Sequence, residues 1–255
     1  GAMLVEYTTR GDGPEAVVML NGWLGDHTVY APIFDALDHT AHTYVFVDCR
    51  GYGRSSELEG EYTMLEYAQD ALEVMNHLGW QSFHVVGHSM GGMAAQRLMS
   101  LAGDRVKSVV AVTPVPASGV PMEGEQLALF QGAADAPENR RAIVDFTTGG
   151  RLSGAWLDSV VERSLRSCQR DAFAGYFQSW TGDSFVEDVR GMTTPVKTLV
   201  GEHDGAITPE VMQATLLDWY PNAELEVLQN AGHYPMAEIP VNLATVIDAF
   251  VARHS

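Results

Sequence analysis

The octapeptide VVGHSMGG, residues 85–92, restricts what this chain can fold into more than any other stretch. An apolar run ends there in a serine set between two glycines, and the small-residue segment MGGMAAQRLMSLA follows directly. A strand that turns this tightly into a helix forces Ser89 into an unfavourable backbone conformation. Close packing at the turn leaves room only for small residues at Gly87 and Gly91. The turn exposes the Ser89 hydroxyl at the carboxyl end of a sheet and aims a helix N-terminus at any negative charge that develops beside it. A serine hydroxyl is a poor nucleophile at neutral pH. The turn becomes a site only if a base, an acid and an oxyanion-binding pair arrive at the same place.

Apolar runs of strand length recur along the chain: AVVML (16–20), TYVFVD (43–48), FHVVG (83–87), VKSVVAVT (106–113), VKTLVG (196–201) and the shorter LEVL (225–228). They are rich in valine and lack polar alternation, as strands covered on both faces of a parallel sheet do. Helical patterns lie between them. Leu65, Ala68, Leu72 and Met75 predict one amphipathic face, which Gly79 is placed to end. Thr208 and Pro209 open another helix with a Met212–Leu216 stripe, and Leu243, Val246, Ile247 and Phe250 mark a C-terminal one. Strands alternating with helices predict an α/β sheet with right-handed crossovers. From Pro114 to Arg190 the rhythm breaks. That interval reads as short helices rich in aromatics, including Phe130, Trp156, Phe173, Tyr176, Phe177 and Trp180, lying over one end of the sheet.

Histidine is the natural base, and nine compete. His233, in QNAGHYPMAEIP, follows a strand and a glycine and precedes the last helix, so its loop lies at the Ser89 end of the sheet. His88 adjoins the serine but points away from it, which suits packing or pocket lining. His39, His42, His77 and His254 sit in polar contexts expected at the surface. The acid must orient the base and stabilise its imidazolium. LVGEHDGAITPE ends a strand with Glu202 and Asp204, and Asp204 stands further out on the loop. Asp48, in DCRGYGRSS, reads as an organiser of loop hydrogen bonds. The order Ser89, Asp204, His233 is the one described for strand–turn–helix serine nucleophiles. MLNGWLGDH leaves the first strand run at the same end, so the backbone N–H groups of Trp23 and Met90 are the expected oxyanion donors.

Composition excludes several classes. The net charge is −18, from 15 basic and 33 acidic side chains, which argues against nucleic acid or anionic lipid as partner. No apolar run approaches the ~20 residues needed to span a bilayer. Two cysteines, Cys49 and Cys168, make neither a disulfide framework nor a metal-ligand spacing, so the expected setting is reducing and cytoplasmic. Gly1-Ala2 before Met3 reads as a tag-cleavage scar. The histidines lack ligand spacing such as H-E-x-x-H, so neither a metal nor an organic cofactor is expected.

Taken together, NGWLG, DCRGYGRSS, GHSMGG, GEHDGAITP and NAGHYPMAEIP resemble the α/β-hydrolase family in order and approximate spacing, from about Met3 to Ser255. The resemblance implies an eight-stranded, mostly parallel sheet flanked by helices, with a helical cap inserted after strand six. Residues 3–113 and 191–255 would form the core and 114–190 the cap. It also implies Ser89 as nucleophile, Asp204 as acid and His233 as base. Many members have His-Gly where this chain has Asn21-Gly22. Trp23 together with Met90 is similar to the haloperoxidase-like esterases. GWLGDHTVY is similar to the matching loop of the cofactor-free quinolone dioxygenases, which often carry a histidine after the serine and lack the acid; Met90 and Asp204 favour hydrolysis instead.

The expected function is therefore hydrolysis of a small, fairly apolar ester or lactone through an acyl-enzyme, with His88, Trp156, Tyr176 and Trp180 as candidate pocket residues. A cofactor-independent dioxygenase, a C–C bond hydrolase and a non-catalytic receptor on the same fold are the rivals. The expected partner is a small-molecule substrate, and oligomeric state is left open.

Overall fold

In the computed structural model, which describes residues 3–255, the valine-rich runs pair into one sheet. Gly1 and Ala2, the expected scar, lie outside the described residues. The strands are β1 (Tyr7–Arg10), β2 (Glu15–Leu20), β3 (His42–Val47), β4 (Phe83–His88), β5 (Val106–Val112), β6 (Val196–Gly201) and β7 (Ala223–Leu228). Their spatial order is β1-β3-β2-β4-β5-β6-β7, with only β1 antiparallel to its neighbour. The central strands are dry: Val17, Val18, Val85, Val86, Val109 and Val110 are all fully buried, each contributing on the order of 1.5–3 kcal/mol relative to exposure.

Among the described residues the sheet has seven strands, not the eight that the family resemblance implies. The strand that pattern reading misses is β1, whose sequence YTTR is half-exposed at the sheet edge and offers no apolar run. No second strand flanks it among the described residues, and Val5 tucks into the core instead. The helical insertion accordingly follows the fifth strand and not the sixth.

Among the described residues eleven α-helices accompany the sheet: α1 (Met64–Leu78), α2 (Met90–Ala102), α3 (Gly124–Gly132), α4 (Pro137–Thr147), α5 (Gly154–Ser167), α6 (Arg170–Gly182), α7 (Val186–Val189), α8 (Pro209–Ala214), α9 (Leu216–Trp219), α10 (Pro235–Glu238) and α11 (Pro240–Arg253). Helices α3 to α7 all fall between β5 and β6. α1 packs on α2, which lies against β4 and β5, whereas α10 and α11 pack on the 3₁₀ segment His27–Ala36. Thr63 caps α1 by accepting from Glu66 N–H at 3.1 Å, and Gly79 ends it in the left-handed conformation at φ 82°.

The buried face of α1 differs from the expected one. Met64, Tyr67, Ala68, Ala71, Val74 and Met75 face inward, and Leu65 is 38% exposed. Tyr67 decides this rotation. Its ring packs inside while its hydroxyl donates to the Asn21 side-chain carbonyl at 2.8 Å, the behaviour of an aromatic with a polar tip.

The strand order reverses at β2 and β4. The chain leaves β2 toward β3 on one side and returns to β4 on the other, so the loops after β2 and β4 diverge and open a crevice at their carboxyl ends. Trp23 follows β2 and Ser89 follows β4.

Candidate active site

Ser89 sits in the crevice with φ 59° and ψ −117°, a strained conformation for a residue with a side chain. The flanking glycines are required by space. A Cβ on Gly87 would lie 2.1 Å from the Gly91 carbonyl oxygen, and one on Gly91 would lie 2.6 Å from the carbonyl oxygens of Leu20 and Asn21. The turn is pinned by Ser89 N–H donating to the Val112 carbonyl at 3.0 Å and by Val115 N–H donating to the Ser89 carbonyl at 3.0 Å. β4, β5 and α2 thus fix the hydroxyl before any ligand arrives.

His233 and Asp204 meet it there. His233 Nε2 lies 3.0 Å from Ser89 Oγ, and His233 Nδ1 lies 2.7 Å from Asp204 Oδ2. The Asp204 side chain is fully buried, and its Oδ1 accepts from the N–H groups of Ala206 at 2.9 Å and Ile207 at 3.0 Å. These bonds hold the carboxylate with one oxygen free for the imidazole. The histidine loop is fixed from three sides: His233 N–H donates to the Thr147 carbonyl at 2.9 Å, and its own carbonyl accepts from His88 Nε2 at 2.7 Å and from the Thr113 hydroxyl at 3.4 Å. Thr147 belongs to α4, so the insertion helps to position His233. Nothing in the sequence pattern around Thr147 signals this, since a backbone carbonyl does the work.

His88 is a neutral imidazole beside the site. Because Nε2–H donates to the His233 carbonyl, the proton is on Nε2, and burial drives the pKa down to about 3, aided by the nearby His233. Its ring stands 5.2 Å from that of His233. A neutral His88 lets His233 become charged without a second cation beside it.

The loop that follows β2 is held by its neighbours. Asn21 Nδ2 donates to the carbonyls of Gly22 at 2.9 Å and Gly25 at 2.6 Å, curling the loop beside Ser89. The position of a Cβ on Gly22 falls 3.1 Å from Ser89 Cβ, which shows how closely the two turns approach. Neither Trp23 N–H nor Met90 N–H has an acceptor among the described residues; Met90 opens α2, where first-turn amides lack helical partners. The Trp23 indole stacks on Phe173 at 4.0 Å and Phe177 at 5.4 Å, meets Trp180 edge-on at 5.3 Å, and donates Nε1–H to the Phe173 carbonyl at 2.9 Å. The loop is therefore tied to α6 by its own aromatic side chain.

Above Ser89 lies a cavity of about 170 Å³ whose walls include Val29, Val120, Phe130, Ile143, Phe146 and Ile207. His88 and Trp180 line it. Trp156 and Tyr176 do not. Trp156 lines a second cavity and meets Tyr234 edge-on at 6.0 Å. Tyr176 is fully buried among Tyr52, Tyr62 and Tyr67, with its hydroxyl donating to the Arg50 carbonyl at 2.9 Å. Its apolar ring suits a pocket, but its hydroxyl is satisfied only deep in the core. His42, expected at the surface, is also buried, at the start of β3 against the Tyr44 hydroxyl. The two cysteines are free thiols.

Among the described residues, Asp26, His27 and Asp48 are the one group whose donor atoms lie close enough for a metal. Those atoms are already engaged. Asp48 accepts from the His27 ring at 2.9 Å and from His27 and Arg54 N–H groups, and Asp26 accepts from Thr28. The hydrogen bond to Asp48 raises the His27 pKa. Asp48 thus organises loops, and the group fits a structural role better than a ligand set.

The sheet, the serine turn and the order of the polar residues together define the class. The chain belongs to the alpha/beta hydrolase fold family, whose model matches residues 15–152. It is 28% identical over 92% of its length to the dihydrolipoyllysine-residue acetyltransferase component of the acetoin cleaving system of Cupriavidus necator, and spans 63% of that protein. It is 27% identical to the 2-hydroxymuconate semialdehyde hydrolase of Pseudomonas putida, covering 81% of this chain and 75% of that one. The fold is also that of an esterase from Exiguobacterium antarcticum, with a TM-score of 0.85 at 18% identity over 97% of this chain and 95% of the other. Among the described residues no helix is long and apolar enough to cross a membrane.

Proposed function

We propose that this protein is a serine hydrolase of small, fairly apolar esters or lactones, acting through an acyl-enzyme. The observation that carries the reading is the unbroken relay from Ser89 Oγ through His233 to Asp204, at 3.0 Å and 2.7 Å, on the floor of an apolar cavity. His233 Nε2 takes the Ser89 proton as Oγ attacks the carbonyl carbon. Asp204 holds the imidazole with Nε2 facing the serine and stabilises the imidazolium. The oxyanion is bound by Trp23 and Met90 N–H, and losing one such donor costs about 3–4 kcal/mol of barrier. His233 then protonates the departing alkoxide. Water, deprotonated by the same Nε2, attacks the acyl-enzyme and releases the acid and free Ser89. A cavity of about 170 Å³ compares with dry protein cavities of roughly 150 Å³ that hold a single benzene-sized ring, so short acyl chains suit it best.

The test is steady-state turnover of a p-nitrophenyl ester series by the protein and its Ser89→Ala variant. Cleavage of short esters that the variant abolishes supports the reading. No cleavage of any ester, with 2-hydroxymuconate semialdehyde hydrolysed instead, moves the assignment to C–C bond hydrolysis. Oxygen uptake with a hydroxyquinolone moves it to cofactor-free oxygenation. The paired Asp204 supports the hydrolytic reading over that last rival, which dispenses with the acid.

A further inference from the structure

Arg163 breaks the pattern of charge pairing in this molecule. With 33 acidic side chains against 15 basic ones, a cation readily finds a carboxylate. Lys107, Lys197 and nearly every arginine form an ion pair, and Arg105 and Arg140, which do not, donate to backbone carbonyls. Among the described residues Arg163 alone does neither. A free arginine on a helix would ordinarily be a solvated surface charge. Arg163 is exposed on α5, but it also stands at the wall of a cavity of about 410 Å³ that Trp156 and Tyr234 line.

That cavity shares Leu24, Gly25, Val29 and Tyr234 with the cavity above Ser89, so the two compartments adjoin across one wall. Tyr234, next to the base His233, is buried, yet its hydroxyl makes no hydrogen bond among the described residues. Burial, with the Asp204 and Glu238 carboxylates, holds that hydroxyl in its neutral, donating form, and the Arg163 charge acts in the opposite sense. A compartment beside the nucleophile thus presents two unengaged donors, one charged and forked, and little else that is polar and free. A guanidinium fork matches a carboxylate in shape and charge.

We propose that this second compartment binds the carboxylate of the substrate, an ester whose acyl chain ends in a carboxylate several bonds from the scissile carbonyl. Arg163 is its specificity residue and the Tyr234 hydroxyl a second donor. The proposal deepens the hydrolase reading and rests on it. The neutral part of the acyl chain occupies the cavity above Ser89, and its charged end lies toward Arg163 along the side that the two cavities share.

The experiment compares p-nitrophenyl hydrogen glutarate with neutral p-nitrophenyl butyrate on the native protein, Arg163→Gln, Arg163→Lys and Ser89→Ala. Arg163→Gln is expected to lower kcat/KM for the half-ester about tenfold, chiefly through KM, while butyrate changes less than about twofold. Arg163→Lys restores part of the loss. Equal effects on both esters, or none on either, overturn the proposal while leaving the Ser89 assignment intact. If the native protein cleaves neither ester, the hydrolase reading fails separately, and glutarate binding followed by tryptophan fluorescence decides the subsite. Saturable binding that Arg163→Gln abolishes supports it; no binding by the native protein overturns it.

Discussion

The floor and the roof of the site are built on different principles. The floor, made by the ends of β4, β5 and β6 with the loops of Asp204 and His233, is fixed by backbone. Ser89 is held by a strained turn and two main-chain bonds, Asp204 by two amides, and His233 by three bonds to its own peptide groups. The roof, made by α3 to α6, is fixed by side chains: Trp23, Phe130, Phe173, Phe177 and Trp180 stack on one another with few directional bonds. Backbone bonds hold reacting atoms to the fraction of an ångström that proton transfer needs. Aromatic packing fills space and sets shape, and it tolerates change more readily. The floor therefore suits the chemistry proposed above, and the roof suits selection by shape.

Substitutions test that division most sharply where they remove reacting atoms. Ser89→Ala is expected to lower kcat for butyrate esters about 10⁵-fold or more while leaving the protein folded, since it deletes only an oxygen in a turn set by the main chain. Circular dichroism alongside turnover checks both halves; a variant that keeps activity breaks the assignment of the floor. Asp204→Asn comes next, with a loss of about 10³–10⁴-fold from a wrongly oriented imidazole and little change in KM, read from full saturation curves.

Trp23→Ala acts on the seam between floor and roof. It deletes the ring at the centre of the stack and is expected to cost about 3–5 kcal/mol in urea unfolding, whereas Trp156→Ala, half-exposed in the second cavity, costs a small fraction of that. Similar losses for the two would contradict the account of the roof.

The smallest effect is a pH dependence belonging to the floor. Burial depresses the pKa of His88 from 6.5 to about 3, so as pH falls the unfolded chain takes up this proton first. The stability tied to His88 is complete above about pH 6.5 and is lost on the way toward pH 3, by at most about 1.4 kcal/mol per pH unit. His88→Gln removes this dependence. Plotted between about pH 6.5 and 4.5, the native protein's stability falls more steeply than the variant's; parallel curves would show that His88 takes up its proton alike in both states.

The floor is legible in sequence for the same reason that it is rigid. A backbone turn with no room for a side chain demands glycine, so Gly87 and Gly91 announce it, and a residue order of serine, aspartate and histidine at successive strand ends locates its partners. β1 is hidden because four half-exposed residues carry no apolar pattern. The roof shows its composition but not its directions. Tyr176 and Trp180 lie four residues apart on α6, yet the first plugs into a cluster of core tyrosines and the second meets Trp23 and the cavity. Which neighbour each ring meets depends on how α6 crosses the core, a long-range property that periodicity does not encode. The solitude of Arg163 is likewise invisible until every other charge has been placed.

The central claim is that Ser89 forms the acyl-enzyme. Intact-protein mass spectrometry after brief exposure to a fluorophosphonate, with peptide mapping of the adduct, tests it most directly. The account predicts one adduct per chain, on the peptide bearing Ser89, and none in Ser89→Ala or in acid-unfolded protein. An adduct on another residue, or ester turnover that persists after Ser89 is replaced, would contradict it.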